Sequence, residues 1–127
     1  MRKLVLMSEE YYDFTRLLRN ANYGDGFIEE TDITLEQQKE YMSKYGKDYY
    51  ICLEDEIPVG FIGSIDNDIR IAVTPLYFGK GVGKFMLQEL MKIYPKALAK
   101  IKVDNEASIK LFEKCGFKKK FYILEKE

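Results

Sequence analysis

The sequence contains no histidine and only two cysteines, and both scarcities limit the chemistry open to the chain. Cys52 lies in an apolar run and Cys115 at the end of a helical pattern, without the CxxC spacing of zinc or redox sites. Zinc sites and histidine-based triads are therefore excluded, and we expect no metal. Any proton donor or acceptor must be Asp, Glu, Tyr, Cys, Lys or an ordered water.

Long apolar runs are also missing. No segment approaches the ~20 consecutive apolar residues that a membrane-spanning helix requires, and neither end carries an apolar signal segment. We therefore expect a cytoplasmic protein without membrane contact. The length of 127 residues fits a single domain, which we place over residues 1–127.

The formal net charge of the chain is −1 at pH 7, but the charges are unevenly distributed along the sequence. Residues 1–79 are net acidic and residues 80–127 are net basic. The basic half can favour an anionic ligand and the acidic half a cationic amine, although ordinary solvated surface is an equally good interpretation. Nucleic-acid binding is a weaker hypothesis, since the pI is about 5.7 and the aromatic residues fit a core.

The apolar pattern predicts the element order β-α-α-β-β-β-α-β-α-β. Predicted strands are Lys3–Met7, Tyr49–Leu53, Pro58–Ile65, Ile69–Val73, Leu98–Val103 and one or two within Phe117–Leu124. Four helices are predicted: one that begins at Ser8, one over Leu35–Tyr45 with Thr34 as its cap, one from Val82 to Tyr94, and one over Asn105–Cys115. A loop is predicted at residues 22–31. An antiparallel meander followed by a strand-helix-strand step predicts an α+β, three-layer fold: a mixed, mostly antiparallel sheet with helices on both faces.

Three alternate glycines, Gly79, Gly81 and Gly83, stand between the predicted strand ending at Val73 and the helix starting at Val82. Glycine permits positive φ, so successive backbone N–H groups can converge at the positive end of a helix dipole. The segment is therefore predicted to bind a polyphosphate; a plain strand-to-helix turn is the alternative.

Two familiar phosphate loops do not fit this spacing. A Walker A loop fails because Phe78 stands where its first glycine belongs and Phe85 where it needs Ser or Thr. A dinucleotide fingerprint fails because the position of its third glycine is Lys84 or Met86.

The segment instead resembles the acyl-coenzyme A loop of the GCN5-related N-acetyltransferases, with its strand-Val-x-Pro-x-x-x-Gly-x-Gly-x-Gly-helix signature. Downstream, residues 104–117 read Asp-Asn-Glu-Ala-Ser-Ile-Lys-Leu-Phe-Glu-Lys-Cys-Gly-Phe, similar to the family's Asn-x-x-Ser helix that ends in Gly-Phe. Two signatures in the right order are more specific than either alone. The resemblance is good from residue 48 onward, and before that it rests on the pattern of elements.

The resemblance implies a site for acetyl-CoA or coenzyme A. The backbone of Ile71, Ala72 and Val73 is then expected to bind the pantetheine arm and to polarise the thioester carbonyl. The expected pyrophosphate site comprises Phe78, Gly79, Lys80, Gly81, Val82, Gly83 and Lys84. Relatives usually carry Arg or Gln where this chain has Phe78, so one polar contact is lost, and Lys80 can supply charge instead.

The second signature adds Asn105, Ser108 and Phe112 to the expected cofactor site. Asn105 either caps its helix or binds the cofactor arm, since an amide can serve both uses. Many relatives use a tyrosine, at the position of Phe112, as the acid for the departing thiolate. Phenylalanine cannot donate a proton, so another group substitutes, the thiolate leaves without an acid, or the protein binds without catalysing.

For a base, the resemblance points to a carboxylate on the strand that enters the loop, and Asp66 and Asp68 lie close to that position. Ordinary turn chemistry of an Asp-Asn-Asp segment is the competing interpretation. The loop between the first two helices borders the acceptor pocket in relatives. Acceptor recognition is therefore expected from Tyr23, Asp25, Phe27, Glu29 and Glu30.

The predicted function is transfer of acetyl from acetyl-CoA to a primary amine, by direct attack in a ternary complex. A small-molecule acceptor is expected, with a protein amino group as a further possibility. We expect no nucleic-acid partner, and a monomer or a homodimer. The alternative is a coenzyme A-binding module of the same fold without turnover.

Overall fold

The computed structural model describes residues 1–21, 24–25 and 32–127, with residues 24–25 described by their backbone. The strands in these residues are β1 (Arg2–Leu6), β2 (Gly24–Asp25), β3 (Tyr49–Glu54), β4 (Ile57–Ile65) and β5 (Asp68–Val73). The α-helices are α1 (Tyr12–Asn20), α2 (Leu35–Tyr45), α3 (Val82–Ile93) and α4 (Glu106–Lys114). Short 3₁₀ turns occupy Glu9–Tyr11, Gly46–Asp48 and Pro75–Tyr77.

The strands form one sheet in the order β1-β3-β4-β5-β2, with antiparallel ladders throughout. A parallel bridge between Asp68 and Leu98 makes the sheet mixed. The β4–β5 hairpin turns through Asp66 and Asn67, whose φ angles of 53° and 64° give the primed geometry that matches strand twist. The predicted meander is thereby confirmed.

Local sequence accounts for where the helices begin. Thr34 and Gln37 form a reciprocal capping box at the start of α2, each side chain accepting the other's backbone N–H. Asn105 caps α4, its side-chain oxygen accepting from the Ser108 N–H at 3.2 Å. By contrast the N-cap residue of α3 is Gly81, which has no side chain that could cap the helix.

Two apolar cores lie on opposite faces of the sheet, because alternate strand residues point to opposite sides. Ile62 and Ile71 pack with Met86 of α3 and Phe112 of α4 on one face. The other core contains Tyr49, Ile51 and Phe61 together with Leu18 of α1 and Met42 of α2. The predicted three-layer arrangement, with helices on both faces, is therefore confirmed.

The chain departs from prediction after α3. In the described structure residues 98–103 contribute only the Leu98 bridge, and residues 117–127 contain no strand. The strand predicted at Leu98–Val103 and the one or two predicted within Phe117–Leu124 were therefore wrong. Apolar composition favours a strand, but a strand also needs a hydrogen-bonded neighbour. Phe117 packs edge-on against Phe112 with ring centroids 5.1 Å apart, whereas Phe121 and Leu124 are exposed.

Within the segment predicted as a loop, Gly24–Asp25 forms the short strand β2. No helix among the described residues is long and apolar enough to cross a membrane. The same residues contain no group of three side chains suited to holding a metal ion.

Candidate functional site

The glycine-rich segment joins β5 to α3 at one end of the sheet. Val73 ends β5, the Pro75–Tyr77 turn follows, and the chain reaches α3 through Gly79 and Gly81. These glycines have φ angles of 74° and 80°, in the left-handed region that other L-residues adopt at a cost. The backbone conformation therefore favours glycine at both positions.

The amino end of α3 presents unpaired backbone donors. The first bond of the helix runs from the Phe85 N–H to the Gly81 carbonyl at 3.0 Å. Among the described residues, no acceptor is present for the N–H groups of Gly81, Val82, Gly83 and Lys84. Converging N–H groups at the positive end of a helix dipole form an anion-binding site.

Other parts of the predicted loop are already engaged. The Phe78 N–H donates to the Pro75 carbonyl at 3.1 Å, and the Lys80 N–H donates to the Tyr77 carbonyl at 3.4 Å. The Lys80 ammonium lies 5.1 Å from the centre of the Tyr77 ring. Among the described residues the Gly79 N–H has no acceptor either, so the donors left for an anion are Gly79 and the run from Gly81 to Lys84.

Gly83 has a different structural role from Gly79 and Gly81. Its φ angle is not positive, and a Cβ atom built on it would lie 2.9 Å from Cδ2 of Leu111 in α4. The residue permits close approach of α3 and α4. Of the three alternate glycines, Gly79 and Gly81 therefore use the left-handed backbone, whereas Gly83 serves the packing of two helices.

Arg2 is a residue at this site that sequence reasoning missed. Its Nη2 donates to the Lys80 carbonyl oxygen at 3.2 Å, and its Nη1 would lie 3.6 Å from a Cβ atom on Gly81. Glu54 holds the guanidinium through two bonds, Nε to Oε2 at 3.2 Å and Nη2 to Oε1 at 2.8 Å. Arg2 is 78 positions from Lys80, so no local sequence signal connects them.

Two segments of the chain pair with the edge of β5 that faces away from β4. Near its start, the Ile69 N–H donates to the Leu98 carbonyl at 2.9 Å and the Leu98 N–H donates to Asn67 at 2.7 Å. Further along, Ile71 and Ala72 pair with β2. The other edge is paired with β4 along the whole strand, up to Val73 opposite Gly60. The predicted pantetheine-binding backbone therefore lies on an edge that β2 covers at two residues.

Asp66 and Asp68 occupy different environments. Asp66 is exposed in the left-handed turn of the hairpin, where Asp is a common turn residue. Asp68 begins β5 with a side chain 15% exposed, and its Oδ2 lies 3.4 Å from Nη2 of Arg70. Oδ1 of Asp68 is buried without a hydrogen-bond partner in the described structure. The structure thus distinguishes two aspartates that the sequence treats alike.

In the second signature, Phe112 is 2% exposed and belongs to the core beneath α3 and α4. Asn105 acts as a helix cap, and Ser108 contributes the N–H that this cap accepts. Lys110 and Lys114 are exposed. The signature thus stabilises α4 and joins it to α3.

Both thiols are disfavoured as nucleophiles. Burial raises the pKa of Cys52 to about 11, so that thiol is protonated at neutral pH. Partial burial also raises the pKa of Cys115, although the nearby Lys84 opposes the shift. Thiolate is the reactive form, so neither residue is primed for attack.

The acceptor residues expected from the sequence lie mainly outside the described residues: Tyr23, Phe27, Glu29 and Glu30, together with the side chain of Asp25. The backbone that follows them is anchored to α1. The Asn20 side chain donates to the Ile33 carbonyl at 3.0 Å and accepts from its N–H at 2.9 Å. Arg16 also donates to this carbonyl, at 3.3 Å.

A family model described as the Acetyltransferase (GNAT) family matches residues 10–117. No curated protein sequence matches the chain. A solved spermidine N-acetyltransferase from Vibrio cholerae in complex with CoA and spermine is similar, with a TM-score of 0.81 and 17% identity over 98% of this chain and 85% of that chain.

Two further solved structures have the same fold. An aminoglycoside N-acetyltransferase in complex with CoA has a TM-score of 0.72 and 14% identity, over 100% of this chain and 94% of that chain. A putative acetyltransferase from Salmonella typhimurium with its cofactor acetyl-CoA has a TM-score of 0.75 and 16% identity, over 92% of this chain and 79% of that chain.

Proposed function

Since the chain belongs to the acetyltransferase (GNAT) family, we propose that it transfers acetyl from acetyl-CoA to a primary amine of a small molecule. The reaction is direct attack by the amine within a ternary complex. The cofactor is acetyl-CoA, with coenzyme A as the product.

One observation carries this proposal: the uncapped amino end of α3. Among the described residues, the four backbone N–H groups from Gly81 to Lys84 have no acceptor, and the left-handed glycines Gly79 and Gly81 carry no side chains that would crowd an incoming phosphate. A pyrophosphate supplies the acceptor oxygens that these donors lack. This chemistry fits coenzyme A, although Phe78 offers no polar side chain beside it.

The pantetheine arm is proposed to lie along the edge of β5 that faces away from β4, bonded to the backbone of Ile71 to Val73 as an added strand. This edge adjoins the pyrophosphate loop, since Val73 ends the strand just before Pro75. Because β2 pairs with Ile71 and Ala72, the arm must replace part of that pairing. Asn105 and Ser108 are proposed to lie beside the same arm.

In the chemical step, the amine nitrogen attacks the thioester carbonyl carbon; a C–N bond forms and the C–S bond breaks. Sulfur leaves with the electron pair, and the nitrogen loses a proton. We propose Asp68 as the base, directly or through water, because its Oδ1 is buried and has no hydrogen-bond partner among the described residues. The sulfur needs no protein acid, since a thiol pKa of ~8.5 makes thiolate a fair leaving group.

The acceptor is proposed to be a compact cationic amine, such as a polyamine or an amino sugar. The net acidic first 79 residues favour a cation. One solved structure of the same fold is a spermidine N-acetyltransferase in complex with CoA and spermine, and another is an aminoglycoside N-acetyltransferase. Tyr23, Asp25, Phe27 and Glu29 remain the proposed acceptor-binding residues.

A second candidate function is coenzyme A binding without turnover. It is favoured by Phe112, which is buried and lacks the hydroxyl that many relatives use as an acid. Calorimetry with acetyl-CoA followed by a thiol-release assay over spermidine, an aminoglycoside and free amino acids separates the two. Binding with release for one amine supports transfer, binding without release for any amine supports the module, and absence of binding contradicts both.

A further inference from the structure

We infer that Arg2 is a positioning residue for the cofactor loop, on the premise that this loop binds pyrophosphate as proposed above. Its guanidinium fixes the orientation of the peptide group between Lys80 and Gly81. This orientation aims the Gly81 N–H at the anion site.

The contacts place Arg2 against one side of this peptide group. Nη2 donates to the Lys80 carbonyl oxygen at 3.2 Å. Nη1 lies on the same side, 3.6 Å from where a Cβ atom on Gly81 would stand. The Lys80 carbonyl therefore points toward the Arg2 guanidinium.

Peptide planarity converts this contact into an orientation of the donor. In a trans peptide group the C=O and the following N–H point in opposite directions, and the described chain contains no cis peptide bond. Holding the Lys80 carbonyl toward Arg2 thus directs the Gly81 N–H away from it. Gly81 is the residue before α3, so its N–H joins those of Val82, Gly83 and Lys84.

The loop needs such a restraint. Gly79 and Gly81 flank Lys80, and glycine has wide backbone freedom on both sides of φ = 0. Among the described residues, the other backbone hydrogen bond of Lys80 runs from its N–H to the Tyr77 carbonyl and is long, at 3.4 Å. Preorganised donors bind more tightly because less conformational entropy is lost on binding.

Glu54 makes the guanidinium itself rigid. Arg2 and Glu54 are cross-strand partners in the β1–β3 ladder, and their side chains are 24% and 23% exposed. A two-bond pair between a guanidinium and a carboxylate has a fixed plane. The sheet edge is thereby connected to the loop through three groups: Glu54, Arg2 and the Lys80 carbonyl.

The test compares Arg2→Met with Lys3→Met. Lys3 is the neighbouring cation on β1 and pairs with Glu56 at 2.8 Å; among the described residues it has no hydrogen bond or ion pair to the loop. Two readouts are taken: the amide NMR signal of Gly81 in the ligand-free protein, and the Kd for acetyl-CoA by calorimetry.

Arg2→Met is expected to shift or broaden the Gly81 signal and to weaken acetyl-CoA binding roughly tenfold, with kcat nearly unchanged. Lys3→Met should change neither readout. Arg2→Lys, which can still donate to the carbonyl, should recover part of the affinity. Glu54→Gln, a milder change, should act in the same direction as Arg2→Met with a smaller effect.

An unaltered Gly81 signal in both Arg2→Met and Glu54→Gln would overturn the inference. So would a loss of affinity equal in Arg2→Met and Lys3→Met, since that result indicates general weakening of β1. If the unmodified protein does not bind acetyl-CoA, the proposed function fails instead. The Gly81 signal still decides the orientation in that case.

Discussion

Gly83 of α3 and Leu111 of α4 are so close that a Cβ atom on the glycine would lie 2.9 Å from Cδ2 of the leucine. Unstrained Cβ contacts are not this short. The third glycine of the loop motif therefore sets the distance between two helices, and it lies in the first turn of α3, whose N–H groups belong to the proposed anion site.

We predict that Gly83→Val lowers the free energy of unfolding by about 1–3 kcal/mol through overpacking. Because the clash involves the end of a side chain, Leu111→Ala in the same protein should recover part of this loss. Urea denaturation of both single variants and the double variant measures the coupling. Strictly additive effects would contradict the contact.

Lys84, exposed in the first turn of α3, should have opposite effects on stability and on binding. Lys84→Glu places a negative charge at the positive end of the helix dipole, which should raise stability by about 0.3–1 kcal/mol. The same charge should weaken acetyl-CoA binding by repelling the pyrophosphate. Thermal unfolding and calorimetry measure the two quantities.

The matched control for Lys84 is Lys92, in the last turn of the same helix, where it pairs with Glu89 at 3.0 Å. Lys92→Glu should lower stability and leave acetyl-CoA affinity unchanged. Equal losses of affinity in the two variants would contradict an anion site at the amino end of α3.

For the base, we predict that Asp68→Asn reduces kcat roughly a hundredfold while the Kd for acetyl-CoA is unchanged. The near-isosteric amide keeps the shape of the site but cannot accept a proton. Asp66→Asn, in the exposed turn, should leave kcat unaltered. The proposed role of Asp68 is wrong if both variants retain full turnover with an amine that the unmodified enzyme acetylates.

Phe112→Tyr introduces a hydroxyl into an apolar core position that is 2% exposed. We expect a loss of about 1–3 kcal/mol in unfolding free energy, since a buried hydroxyl without a partner is destabilising. Acetyl-CoA affinity should not change. Unchanged stability in a denaturation curve would show that the hydroxyl has found a polar partner.

Much of the fold could be read from short-range pattern. Thr34 with Gln37, Asn105 with Ser108, and the Asp66–Asn67 turn depend on residues close together in the chain, so their roles follow from local stereochemistry. The prediction of a strand at Leu98–Val103 was wrong because neighbouring residues in the sequence do not specify which segment hydrogen-bonds to a strand.

For the candidate site, the sequence by itself determined the position and the backbone character of the glycine-rich loop. Gly79 and Gly81 at a strand-to-helix junction predicted left-handed backbone and unpaired N–H groups, because both properties depend on adjacent residues. The family resemblance, confirmed by the match over residues 10–117, rests on these same local motifs.

Tertiary structure alone decided what surrounds that loop. Arg2 of β1 donates a hydrogen bond to the Lys80 carbonyl. Gly83 of α3 packs against Leu111 of α4. Asp68 is more buried than Asp66. Each distinction depends on which distant elements pack together. Packing is set by the whole apolar pattern of the chain, so no short motif can specify it.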